Sequence, residues 1–310
     1  VFRTRSDAAL ALSLVFAVFL WGGTNTGTRF IVQSWPPVWS GASRFLCAGL
    51  LMLAALRWTR WLGAPQPLTA EINRRLWWHG GLSLAAYIVC FYWALHFTPV
   101  SHVALYLGAS PVWALLWEGR PAKSWNSVQR YAAAALALSG VLVLFAPAMK
   151  AAGGGRWIGE FLALIASVLW TNYGRQCREL GATLSGVEVS AHTMWRAGLL
   201  LMVPGIIELA RNRIVLRPDL LWIQLGCILG GSVIAFAIWN RALSQWPASQ
   251  VLLFNNLIPL STMAWAHFCL GEPVTTTFWL AMILIVGGVV LRQTNWQLLS
   301  RATAPVRSDK

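Results

Sequence analysis

Trp21, Thr24, Asn25 and Thr28 fall at i, i+3, i+4 and i+7 of an otherwise apolar run, so a helix there carries them on one face. Indole, hydroxyl and amide groups are weak acids and bases, but they bind well: each donates or accepts hydrogen bonds, and the indole also stacks. Ser167, Trp170, Thr171 and Gly174 repeat the spacing, with Trp170 in the place of Trp21. Other polar and aromatic faces occur at Ser83, Tyr87 and Phe91; at Ser232, Phe236 and Trp239, with Asn240 alongside; and at Tyr106, Ser110, Trp113 and Trp117. A last one holds Asn255, Pro259 and Thr262, with Asn256 adjacent. Polar groups within long apolar helices are costly unless they face protein or a watery cavity, so these residues are candidates for holding a small molecule. Ordinary helix packing is the competing explanation for each aromatic face.

The segments that position them are duplicated. Ala94, Leu95, Pro99, Ser101, Val103, Leu105, Pro111 and Trp117 recur at a constant offset of 148 as Ala242, Leu243, Pro247, Ser249, Val251, Leu253, Pro259 and Trp265. Such a repeat decides the architecture. Pro111 and Pro259 are expected as hinges: each removes a backbone N–H and frees a carbonyl one turn back, at Leu107 and Asn255 respectively. Leu107-Gly108 corresponds to Asn255-Asn256, so the polar chemistry is expected to concentrate on the second copy.

Of the 310 residues, 57% are hydrophobic and 11% charged, too apolar a balance for a soluble globule of this length. Ten apolar helices can be marked, at 8–32, 38–57, 76–97, 100–118, 128–147, 158–179, 187–208, 220–245, 248–270 and 275–293, each near the ~20 residues that cross a bilayer. Arg3 and Arg5 ahead of the first resemble the start of a secretion signal, but that run is too long and lacks an A-x-A-like end, so it reads as a retained span. The net charge of +14 does not point to nucleic acid, because Lys and Arg cluster in the connections. With the N-terminus in the cytoplasm, sixteen of the 24 fall on inside segments and five outside, which places both termini in the cytoplasm. Five helices per half make the second half enter from the opposite side. The expected fold is therefore an all-α integral membrane protein of ten transmembrane helices in two inverted five-helix repeats, 1–149 and 150–295, with a cytoplasmic tail over 296–310. Inverted halves of this kind are the usual design of secondary transporters.

Several motifs carry a family resemblance: LWGGTN at 20–25, SWPPVWSGASRFLCAG at 34–49, ALHFTPVSHVAL at 94–105 with its second copy, GEP at 271–273 and GGVVL at 287–291. In this order the chain resembles the EamA-type exporters of the drug/metabolite transporter superfamily. The resemblance implies a cavity lined by helices 1, 3, 4, 6, 8 and 9, helices 5 and 10 at the periphery, and an amino acid or similar metabolite as cargo. Glu118 follows Pro111 by seven residues whereas Glu272 follows Pro259 by thirteen, so the halves differ at that connection.

The remaining chemistry is narrow. Glu118, Glu160, Glu188, Glu208 and Glu272 all sit at span ends, which argues against exchange on a mid-membrane glutamate; His102 or His192 would have to serve any proton coupling. Arg44 and Arg196 fall within spans and are expected to snorkel to an interface, the sharper alternative being a counter-charge for a substrate carboxylate or phosphate. Gly23/Gly27 and Gly226/Gly230 are assigned to close helix packing. The five cysteines lack CxxC spacing and the five histidines lack metal spacing, so no metal, cofactor or enzymatic activity is expected. The candidate substrate-binding set is thus Trp21, Asn25, Tyr87, Tyr106, Ser110, Trp170, Trp239, Asn255 and Asn256. The expected activity is export of a neutral or zwitterionic, amino acid-like metabolite across the inner membrane by a monomer or homodimer in the lipid bilayer. A channel or non-transporting scaffold, and a carrier of phosphorylated, nucleotide-linked or cationic substrates, are the alternatives.

Overall fold

The computed structural model describes residues 5–59, 65–110, 113, 125–150, 156–212, 214–245 and 254–293. Every regular element among the described residues is a helix. They are α1 (Arg5–Ile31), α2 (Pro37–Trp58), α3 (Ala70–Arg75, Leu76–Gly81 and Leu82–Phe97 in continuation), α4 (Val100–Gly108), α5 (Trp125–Lys150), α6 (Arg156–Leu180) and α7 (Gly186–Arg211). Then follow α8 (Pro218–Gly226, Cys227–Ile234 and Ala235–Gln245), α9 (Phe254–Leu257 running into Ile258–Leu270) and α10 (Thr276–Gln293). Among the described residues, five helical stretches are long and apolar enough to cross a membrane: Ala8–Ile31, Pro37–Trp58, Ala70–Phe97, Gly186–Arg211 and Pro218–Trp239. At 1.5 Å per residue the 22 residues of α2 reach about 33 Å, the thickness of a hydrocarbon core. Leu12, Leu142, Val203 and Ile283 point outward and exposed, as lipid-facing side chains would.

Local chemistry sets the boundaries. Pro36 caps α2 and Pro37 opens it, where a missing N–H costs nothing. Ser185 and Glu188 form a reciprocal capping box at the start of α7. Gly271, with φ at 66°, closes α9 in the left-handed conformation that glycine adopts without strain. The third helix starts at Ala70, six residues before the expected 76, because Thr69 accepts from the Ile72 amide and a wider π-helical turn over Leu76–Gly81 absorbs the change of register. α8, the third helix of the second half, carries the matching π-helical stretch at Cys227–Ile234.

The inverted symmetry is visible in reciprocal contacts. A methyl group added at Gly49 would lie 2.3 Å from the Trp195 backbone nitrogen, and one at Gly198 would lie 2.4 Å from that of Leu46. Both partners are related by an offset of 149, so α2 and α7 cross backbone to backbone about a local two-fold axis. The same holds for α5 and α10, where Gly140 abuts the Ala281 carbonyl and Gly288 that of Ala133, at an offset of 148. The halves also exchange neighbours: α3 and α4 pack on α6, while α8 and α9 pack on α1.

Candidate binding region

Two ends of the bundle can be named by their contacts. The proximal end holds residues 65–75 and 176–188, where His79 meets Gln176 at 3.0 Å and the Gln66 amide donates to Glu188 at 2.5 Å. The distal end holds the α1–α2 and α3–α4 connections.

At the proximal end a cleft of about 600 Å³ opens between α3 and α6, lined by Arg74, Arg75, Trp78, His79, Gln176, Glu179 and Leu180. It continues into a second space of about 340 Å³ reaching Leu82, Ser83, Ala86, Leu169 and Asn172. Asn172 donates to the Ser83 hydroxyl at 3.0 Å across that space. Next in from Ala86, Tyr87 stands against Trp170 with ring centroids 5.0 Å apart, and also stacks on Phe91.

The distal end is shut by side chains that cross between halves. Glu208 of α7 accepts from the amides of Val38 and Trp39, capping α2 at 2.8 and 3.1 Å. Glu272 accepts from the Val100 and Ser101 amides and from the Ser101 hydroxyl, at 2.9, 3.3 and 2.7 Å, capping α4. Carboxylates at helix N-termini are favourably placed against the exposed amides and the helix dipole. Glu160 of α6, fully buried, receives Thr98 Oγ1 at 2.8 Å and lies 2.6 Å from His102 Nδ1. Arg29 donates to the Leu95 and His96 carbonyls that end α3. The sequence places these carboxylates at span ends but carries no signal of their partners, which come from distant segments.

The sequence-derived residues fall into two groups related by the repeat. Around α1, Trp21 donates to the Gly231 carbonyl at 2.9 Å and packs on Phe236 and Trp239 with centroids 5.4 and 5.1 Å away. Asn25 donates to Thr262 of α9 at 3.2 Å. Around α6, Trp170 meets Tyr87, the counterpart of Phe236 at an offset of 149. Each half thus contributes one tryptophan–aromatic pair. On α4, Ser110 and Trp113 are taken up by α6: Trp113 Nε1 donates to Ser167 at 2.9 Å, and Thr171 donates to the Ser110 carbonyl at 3.1 Å. Tyr106 is buried, and its carbonyl accepts from Ser167. For these three, helix packing accounts for the contacts. Asn255 and Asn256 lie in the 3₁₀ turn that begins α9, their side chains outside the described set, and Pro111 and Trp117 lie outside the described residues altogether.

α4 is broken by a turn at Ala109, and the Leu107 carbonyl accepts from the Ser110 hydroxyl at 2.5 Å; the hinge expected at Pro111 lies outside the described residues. In the second copy Pro259 stands in the first turn of the α-helical part of α9. The two interruptions meet: a methyl at Gly108 would lie 3.2 Å from Pro259 Cγ. Of the four small-residue positions assigned to packing, Gly23 and Gly27 are closely approached by Trp265 and Cys227, whereas Gly226 has open space around it.

Arg44 departs from the snorkelling expectation. Its guanidinium turns into the protein, 6% exposed, and donates to Ser232 Oγ at 3.0 Å, Thr28 Oγ1 at 3.1 Å and Tyr92 Oη at 3.4 Å, joining α2 to α8, α1 and α3. Arg196 reaches toward the proximal end instead, where Asn73 accepts at 2.6 Å and the Trp195 ring lies 4.4 Å away.

An all-helical bundle of two inverted halves, with apolar spans and paired aromatic clusters, has the build of a membrane transporter. The model of the EamA-like transporter family matches residues 9–146 and again 157–292. The chain belongs to that family, within the drug/metabolite transporter superfamily. It is 26% identical over 293 residues to the "Uncharacterized transporter YwfM" of Bacillus subtilis (strain 168), covering 91% of this chain and 92% of that one. It is 28% identical over 281 residues to the "Uncharacterized inner membrane transporter YedA" of Escherichia coli (strain K12), covering 89% and 88%. A solved crystal structure with 21% identity superposes with a TM-score of 0.63 over 96% of this chain and 99% of its own, a likeness of fold.

Proposed function

We propose that this chain is a secondary active transporter that exports a small neutral or zwitterionic metabolite, amino acid-like and including aromatic ones, by alternating access. The observation that carries the reading is the duplicated device at the centre. Two tryptophan–aromatic pairs, Trp170–Tyr87 and Trp21–Phe236, flank two interrupted helices that touch at Gly108 and Pro259. Nearly equivalent halves can exchange two shapes around such a centre. The Lys and Arg asymmetry puts the proximal end in the cytoplasm, so the cleft between α3 and α6 faces the compartment from which cargo is taken, while the distal carboxylates hold the other side shut. The reading carries with it the division at 149/150, the cytoplasmic tail at 296–310, which lies outside the described residues, and a monomer or homodimer in the inner membrane.

Two results test it. Trp170→Ala is expected to cut efflux of a stabilising metabolite from proteoliposomes on the order of tenfold or more while eluting from gel filtration like the parent, since a tryptophan in a binding surface commonly dominates the contact. Unchanged efflux would remove Trp170 from the path. For orientation, Gln66→Cys in a cysteine-free background is expected to react with a membrane-impermeant maleimide in inside-out vesicles and not in intact cells. Labelling in cells would invert the topology.

A further inference from the structure

We infer that Arg44 docks a carboxylate of the transported molecule, an inference that rests on the transporter reading and names the chemical class of its cargo. The three arginines within spans are used differently. Arg29 serves the carbonyl end of α3, and Arg196 is held by Asn73 and by the His192 carbonyl near the proximal end. Arg44 is turned into the meeting point of α1, α2, α3 and α8, with Thr28, Tyr92 and Ser232 as its hydrogen-bond partners. All three partners are neutral hydroxyls. No carboxylate pairs with it among the described residues.

A buried cation without a counter-charge is expensive, and neutral hydroxyls repay only part of the lost hydration. The guanidinium also keeps donors in reserve. Nε and Nη1 make its hydrogen bonds to described residues, which leaves Nη2, yet Nη2 is not among the sealed polar atoms without partners. That nitrogen donates to no described residue. One fixed positive charge suits a monoanion, whose binding brings the site to neutrality; a phosphate dianion would leave an excess charge buried with no second cation beside it. Tyr87 supplies the connection to the proximal cleft: its neighbour Ala86 lines that cleft, its ring packs on Trp170, and it lies in the field of Arg44. A molecule with an apolar or aromatic body against Trp170 and Tyr87 could place its carboxylate on Nη2.

The test uses purified full-length protein and four probes that share a phenyl ring: L-phenylalanine, 3-phenylpropionate, phenethylamine and phenyl phosphate. Thermal-shift titration of the unmutated protein is expected to show binding of the two carboxylates and at least about tenfold weaker binding of phenethylamine and phenyl phosphate. Arg44→Met is expected to lose about tenfold or more in affinity for 3-phenylpropionate, and Arg44→Lys to recover part of it, since a point charge replaces the planar fork. If Arg44→Met does not fold, the probe series on the unmutated protein decides alone. Equal binding of phenethylamine and 3-phenylpropionate, absence of any carboxylate binding, preference for phenyl phosphate, or unaltered affinity in Arg44→Met would each overturn the assignment. Proteoliposome flux separates this from the broader reading. Transport of phenethylamine with no carboxylate binding would leave a transporter without this site. Carboxylate binding at Arg44 with no flux of any probe would leave the site and remove the transporter.

Discussion

Gly49→Leu and Gly198→Leu are each expected to reduce the yield of folded protein sharply and to lower its melting temperature more than any other single exchange in the helix interfaces. At both positions the first added carbon meets backbone, the Trp195 nitrogen at 2.3 Å and the Leu46 nitrogen at 2.4 Å, so no side-chain rotation relieves the clash. The only escape is separation of α2 from α7. Overpacking against movable side chains costs about 1–3 kcal/mol, and parting two helices that rely on close backbone approach should exceed that range. The control is Gly226→Leu, where the added carbon has no atom within 4 Å outside its own helix, so leucine enters a helix at no steric cost. Thermal unfolding of the three variants in detergent checks the expectation. Melting of Gly49→Leu within about 2 °C of Gly226→Leu would show that the crossing does not hold the halves together.

That crossing also marks how far the sequence could be read. The repeat was legible because a constant offset of 148 is a property of the chain itself, and the spans were legible because lipid demands unbroken apolar helices. The faces of those helices were harder. Thr24 and Thr28 share a face with Trp21 and Asn25, but Thr28 is spent on the Thr24 carbonyl and on Arg44, inside the protein. Ser110 and Trp113 look the same in sequence as Trp170, yet contacts to α6 absorb both. Arg44 and Arg196 lie in equivalent helices and are both buried, yet the azimuth of each helix gives them different partners, hydroxyls of three helices for Arg44 and Asn73 for Arg196. Helical periodicity gives relative angles around one axis and is silent on how that axis is rotated against its neighbours. That Gly108 and Pro259 approach each other is a tertiary fact with no trace in the spacing of either segment. The distal carboxylates read only as span ends for the same reason: Glu272 lies 172 residues from Val100, whose amide it caps.

Those carboxylates give the second large effect. Glu272→Ala, and more strongly Glu272→Ala combined with Glu160→Ala, is expected to expose the centre of the protein from the distal side. Glu272 alone removes three hydrogen bonds between the second half and the start of α4. Hydrogen bonds to a charged group contribute roughly 1.5–3 kcal/mol each, and Glu160 adds its contacts to Thr98 and His102. On the alternating-access reading these contacts belong to the closed shape alone, so each 1.4 kcal/mol lost moves the open-to-closed ratio about tenfold. Cys227 is a native reporter: it is buried, with Sγ 3.7 Å from the Thr24 carbonyl, beside the Arg44 junction. With Cys47, Cys90, Cys177 and Cys269 replaced by serine, its labelling in intact cells by a membrane-impermeant thiol reagent is expected to rise about tenfold or more in Glu272→Ala. Glu272→Gln should fall between, since the amide oxygen still accepts but carries no charge for the helix terminus. Glu188→Ala, at the opposite end, removes the α7 capping box and should leave distal labelling unchanged. An equal rise in that variant would mean general loosening; a rise confined to Glu272 and Glu160 would make the distal carboxylates the latch that alternating access must release.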